Sequence, residues 1–114
     1  MEREEQAGGR IVKIKDIQNF CEQGKIKWYK HALERMQERD ISRADVKTCI
    51  TGGEIIEEYP DDFPHPSCLI FGQTVHNKII HVVVSIDKEN IGIITVYYPN
   101  TEKFENDLKT RKGR

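Results

Sequence analysis

His31, Arg35 and Arg39 stand at i, i+4 and i+8 within KHALERMQERD. At ~100° per residue, an α-helix brings three such positions within about 80° of one another. The stripe then carries one imidazole and two guanidiniums. Guanidinium forks hold phosphate oxygens through paired hydrogen bonds, and an imidazole exchanges protons near neutral pH. These residue types suit the binding and cleavage of an RNA phosphodiester. The 2′-hydroxyl of RNA is an internal nucleophile, so this chemistry requires no metal. A competing reading pairs Arg35 and Arg39 with Glu34, Glu38 or the acidic segment that follows. His31 is then satisfied locally at the start of the helix.

His81 sits inside IIHVVV, an otherwise apolar run. A polar ring there must be hydrogen-bonded or stand at the end of a sheet. Thr95 and Tyr97 share one face of the next run, IGIITVYY, by period-two alternation. Pairing Ile86 with Ile91 sets His81 across from Val96, on the opposite face. A slip of one residue sets it across from Tyr97 or Thr95. The sequence leaves both registers open.

His65 and His76 fall in loops, and no pair of histidines or cysteines has ligand spacing such as HExxH or CxxC, so no metal is expected. Cys21, Cys49 and Cys68 are far apart and odd in number, which argues against a disulfide framework and places the chain in a reducing cytoplasm. Tyr59, Tyr97 and Tyr98 are amphipathic aromatics that either stack on bases or finish the sheet. There is no phosphate-cradling glycine loop, nucleophile elbow or dinucleotide fingerprint, and no cofactor is implied.

The elements that must position these groups follow from periodicity. IVKIKDIQNFCEQ predicts a first helix stopped at Gly24, and Lys25 to Tyr29 an extended link with Ile26 and Trp28 facing one way. KHALERMQERD consists of strong helix formers, with Leu33 and Met36 as its apolar edge. Ser42 and Asp45 form a capping box for a third helix, which ends at Gly52-Gly53 and pairs with the second as a hairpin. EIIEEY, SCLIFG, KIIHVVVSID and IGIITVYY then read as four strands, and residues 101–108 as a short last helix. The expected fold is α+β, with N-terminal helices on one face of a four-stranded antiparallel sheet.

The chain has 114 residues, which bounds it to one domain. Residues 1–10 read as a disordered leader, 11–108 as the folded domain and 109–114 as a basic flexible tail. No run approaches the ~18–20 apolar residues of a membrane span. The net charge of -1 hides a division, because residues 25–47 carry seven bases against four acids. Glu54, Glu57, Glu58, Asp61 and Asp62 follow with no base among them. Such patterning bears on partners and solubility.

KHALERMQER, EYPDDFPHPSCL, HVVV and ITVY together resemble a bacterial domain-of-unknown-function family, number 4258. The family is more distantly similar to compact RelE-like and BrnT-like ribonuclease toxins, and its members are often encoded beside zinc-finger antitoxins of the MqsA type. The resemblance implies a helices-on-sheet toxin fold, RNA as substrate and such an antitoxin as partner. The matching positions here are His31, Arg35, Arg39, Tyr59, His81, Thr95 and Tyr97. In that reading the chain is a metal-independent endoribonuclease, an mRNA interferase. Arg35 and Arg39 hold the scissile phosphate, His31 or His81 moves protons, and Tyr97 orients a base. Lys27, Lys30, Tyr59 and Thr95 complete the binding surface. The alternative is a non-catalytic interaction module that uses its acidic sheet edge to hold a basic partner.

Overall fold

A computed structural model describes residues 12–113. The expected leader at residues 1–10 lies outside the described residues. Helix α1, Ile14–Glu22, buries Ile17 and Cys21 one turn apart. It stops before Gly24, which takes a left-handed φ of 75°. Strand β1, Ile26–Trp28, follows directly. Helix α2, Lys30–Arg39, buries Ala32 and Met36 and ends on Asp40 in the left-handed region, which aspartate tolerates better than most residues. Helix α3, Arg43–Gly52, opens on the expected capping box. The Ser42 side chain accepts from the Asp45 amide, and the Asp45 carboxylate accepts from the Ser42 amide.

Strands β2 (Glu54–Tyr59), β3 (Ser67–Gln73), β4 (Ile79–Ile86) and β5 (Ile91–Tyr97) complete the helices and strands of the described residues. The α+β class holds. The sheet, however, has five strands in the order β1-β5-β4-β3-β2, and β1 runs parallel to β5. This corrects the four-stranded antiparallel expectation. A three-residue strand whose partner lies at the other end of the chain shows only as local alternation of Ile26 and Trp28. The helices also differ from a simple hairpin. Helix α3 packs mainly on β3 and α1, and α2 packs mainly on β5. Gly72 allows a close approach of α3 to β3: a Cβ there would fall 2.5 Å from the Cys49 carbonyl oxygen and 2.8 Å from its sulfur.

The helices cover one face of the sheet. Cys68, Ile70, Ile80, Val82, Val84, Ile91, Ile93 and Val96 join Ile17, Met36, Val46 and Ile50 in the core between the layers. The opposite face carries Leu69, Phe71, His81, Val83, Thr95 and Tyr97. The register resolves the earlier alternative through a β-bulge. Ile86 does pair with Ile91, but Val83 faces Thr95 while Val84 faces Ile93, so Ile94 is an extra residue. The bulge shifts everything beyond it by one, and His81 pairs with Tyr97.

The expected C-terminal helix does not form. Residues 101–113 are turns, tied by a single bridge between Phe104 and Arg111. The local side chains explain why. Asn100 accepts from the Glu102 amide, and Asp107 accepts from the amides of Lys109 and Thr110, so short polar side chains compete with the helical ladder. The segment folds over the helix-free face, with Phe104 buried against the ring of His81 at 4.7 Å between centroids.

Candidate functional site

The parallel partner of β5 ends at Trp28, opposite Ile93, so no described strand pairs with that edge of β5 beyond Ile93. Helix α2 runs along that edge. Arg39 Nη1 donates to the Val96 carbonyl at 2.9 Å, which satisfies an edge acceptor and fixes the guanidinium. Arg35 lies one turn earlier and pairs with Glu38 at 3.3 Å, a half-exposed contact of the kind that contributes little.

Between α2, the end of β5 and the C-terminal segment lies a cleft of about 510 Å³. Arg35, Arg39, Thr95, Tyr97, Lys103 and Arg111 line it, together with Tyr98, Pro99, Asn100 and Phe104. Four of these side chains are cationic and none is acidic. Arg35 pairs with Glu38 and Arg111 with Glu57, carboxylates outside the lining, so Arg39 and Lys103 carry most of the field that favours anions in this concave surface.

Tyr97 lines the cleft and connects to a buried histidine. His81 is fully buried, and both ring nitrogens are engaged. The Leu108 carbonyl, 2.7 Å from Nε2, can only accept, so Nε2 carries the proton. Nδ1 is then the acceptor for the Tyr97 hydroxyl at 3.2 Å. Burial lowers the pKa of His81 below its ordinary value, which keeps the ring neutral. Burial also raises the phenol of Tyr97, against the pull of the Arg111 guanidinium beside it. Leu108 holds its carbonyl in place from a left-handed φ of 59°, a strained conformation for a bulky residue.

Arg111 is held from behind. Its Nε and Nη2 donate to the two oxygens of Glu57 at 2.9 and 3.1 Å, a bidentate pair. The Glu57 side chain is only 7% exposed and also accepts from the Tyr59 hydroxyl. Desolvation and that carboxylate push the Tyr59 phenol up to about 12. Lys109 reaches Glu54 at 2.7 Å and stands over the Phe71 ring. Lys109 and Arg111 thus lie against the sheet, where their charges meet the acidic strand.

The structure therefore brings Arg35, Arg39, Thr95 and Tyr97 to one cleft. His81 stands behind Tyr97, closed off by Phe104 and Leu108. Tyr59 acts at one remove, through Glu57. Lys27 shares the helix-free face but pairs with Gly92, further along the sheet. Lys30 and His31 begin α2 outside the cleft. The His31 side chain is 85% exposed and lies 3.7 Å from Glu34.

Sequence reasoning missed Lys103, Phe104, Arg111 and Glu57. A lone phenylalanine in a polar segment, followed by a DLKT turn pattern, was the available signal. His65 meets Asp87 at 3.7 Å rather than a second ligand. No metal-holding group of histidine, cysteine and carboxylates occurs among the described residues. The three cysteines are free and buried. Burial pushes Cys49 and Cys68 up to about 12, which makes them poor nucleophiles. No described helix is long and apolar enough to cross a membrane.

Comparison with known proteins found no matching curated protein and no matching solved structure. A family model does match, over residues 28–98, described as Domain of unknown function (DUF4258). That span holds α2, all of β2 to β5 and the pair of His81 with Tyr97; it ends before Lys103 and Arg111. On a match that covers more than half its length, the chain belongs to the DUF4258 family.

Proposed function

We propose that this chain is a toxin-like endoribonuclease that cleaves RNA without a metal. The observation that supports it best is the cleft, where four cations and no carboxylate surround a tyrosine backed by a buried imidazole. Arg35, Arg39, Lys103 and Arg111 bind the scissile phosphate and its neighbours and offset the charge that grows on phosphorus-bound oxygens. Two of them are pre-positioned, Arg39 by the Val96 carbonyl and Arg111 by Glu57.

The proton path runs through Tyr97. Its raised pKa makes a standing phenolate a poor choice of base. The phenol oxygen instead accepts the 2′-hydroxyl proton as its own proton passes to Nδ1 of His81, and the Leu108 carbonyl steadies the imidazolium through Nε2–H. The 2′-oxygen bonds to phosphorus, the bond from phosphorus to the 5′-oxygen breaks, and water in the open cleft protonates the leaving oxygen. The products are a 2′,3′-cyclic phosphate and a 5′-hydroxyl. In this scheme His81 acts through Tyr97 rather than on RNA, and His31 has no part.

The test is incubation of the purified chain with mRNA, alone and with ribosomes, beside Tyr97→Phe and an Arg35→Ala/Arg39→Ala double variant. Cleavage with cyclic-phosphate ends by the wild type, and little by either variant, is expected. Identical RNA profiles for all three, where a known toxin cuts, would remove the proposal.

A second reading rests on β2, the outermost strand of the sheet, whose outer edge is unpaired by any described strand. Glu58 and Asp61 are exposed there. Such an edge accepts a basic strand from a partner, and a zinc-finger antitoxin of the MqsA type is the partner this reading names. A complex that is lost on Glu58→Lys, formed by a chain that cuts no RNA, favours this reading over the first.

A further inference from the structure

Tyr29 joins β1 to α2, and 43% of it is exposed. Its ring rests on the helix-free face of the sheet, above Gly92. A Cβ at position 92 would fall 2.6 Å from Cε2 and 3.2 Å from Cζ of that ring. The ring therefore occupies the space that any other residue on β5 would fill with its own side chain. Its hydroxyl makes no hydrogen bond to a described residue. Lys27 shares this face through its pairing with Gly92, but its charge is partly engaged by Asp87. The ring, more than the charge, is the distinctive feature here.

The position of the ring relative to the cleft gives it a use. Thr95, on the cleft wall, is three residues beyond Gly92 on the same strand and shows the same face because Ile94 is the bulged residue. Gly92 and Thr95 face Ser85 and Val83, two residues apart on β4, so at about 3.3 Å per residue the separation is roughly 7 Å. One single strand of nucleotides can reach both places. An aromatic ring seated on backbone loses little entropy when a base stacks on it, and stacking tolerates any base.

We propose that Tyr29 is a stacking platform for a nucleobase of the RNA whose phosphates occupy the Arg35–Arg39 cleft. This rests on the RNA reading given above and extends its binding surface along the sheet. The platform takes an unpaired base of any identity, so the preferred ligand is single-stranded.

The experiment measures binding of the full chain to a fluorescein-labelled single-stranded RNA and to an abasic oligonucleotide of equal length. Wild type is compared with Tyr29→Ala, Tyr29→Phe and Gly92→Ala, each checked for native circular dichroism. Tyr29→Ala is expected to weaken RNA binding about 10-fold, the scale of one lost stack. Tyr29→Phe keeps wild-type affinity, and abasic binding is unchanged in both. Gly92→Ala, which displaces the ring, should resemble Tyr29→Ala. Salt-sensitive RNA binding that is equal in wild type and Tyr29→Ala overturns the platform and leaves the RNA reading standing. Absence of RNA binding by folded wild type overturns both.

Discussion

Replacing His81 with phenylalanine separates its hydrogen bonds from its volume. A phenyl ring keeps the edge-on packing against Phe104 and Tyr97 but loses the bonds to the Leu108 carbonyl and the Tyr97 hydroxyl. The hydroxyl can turn to water in the cleft, whereas the part-buried carbonyl of Leu108 loses its donor. One lost hydrogen bond and one part-buried acceptor without a partner together cost about 2 kcal/mol. With an m of roughly 1–3 kcal/mol/M, the urea midpoint falls by about 1 M. The pH dependence of this difference is the sharper test. His81 has a folded pKa below its ordinary 6.5, so the unfolded chain takes up a proton first as pH falls. Wild-type stability from this group is whole above pH 6.5 and is lost as pH falls through the folded value. The gap between wild type and His81→Phe is thus widest at neutral pH and narrows on acidification. Urea melts of both proteins from pH 8 to pH 5 measure it. A gap that widens as pH falls refutes the reasoning, because it means that the fold favours the imidazolium.

Other expectations follow from the same contacts. Glu57→Gln removes the charge that holds Arg111 and costs about 1–2 kcal/mol, discounted because the Arg111 side chain is 32% exposed. Hydrogen exchange should rise in residues 100–113 before it rises in β4. Ser42→Ala removes the capping box of α3 and costs about 1 kcal/mol by thermal melt, with RNA affinity unchanged. Cys49 and Cys68, with thiols pushed up to about 12, should resist a thiol reagent at pH 8 until urea unfolds the chain. Fast labelling of the native protein contradicts their burial.

The elements written in local patterns were legible. The Ser42 and Asp45 pair marks the start of α3, and the apolar spacing of Ile17 with Cys21 and of Val46 with Ile50 marks the buried helix faces. The β-branched runs mark β4 and β5. The features that required distant partners were not legible. Strand β1 exists because its three residues find β5 at the far end of the chain. The bulge at Ile94 has no sequence mark, yet it decides which residue faces His81. The spacing of Arg35 and Arg39 and the alternation of Thr95 with Tyr97 gave half of the cleft. Its other half comes from Lys103 and Arg111, and Arg111 is placed by Glu57, 54 residues earlier. No local rule links those two. His81 was legible as an oddity but not in its role, since its neighbours Phe104 and Leu108 come from a segment that reads as a helix and folds as turns.

The claim that the four-cation cleft holds an RNA backbone is tested most directly by the salt dependence of affinity. A single strand releases about 0.7 counterion per phosphate contact, so four contacts give a slope of log K against log salt near -3. The Arg35→Ala/Arg39→Ala double variant should bind more weakly at low salt, with a slope closer to -1.5. Equal slopes for the two proteins, or no binding at 50 mM salt, would contradict the account.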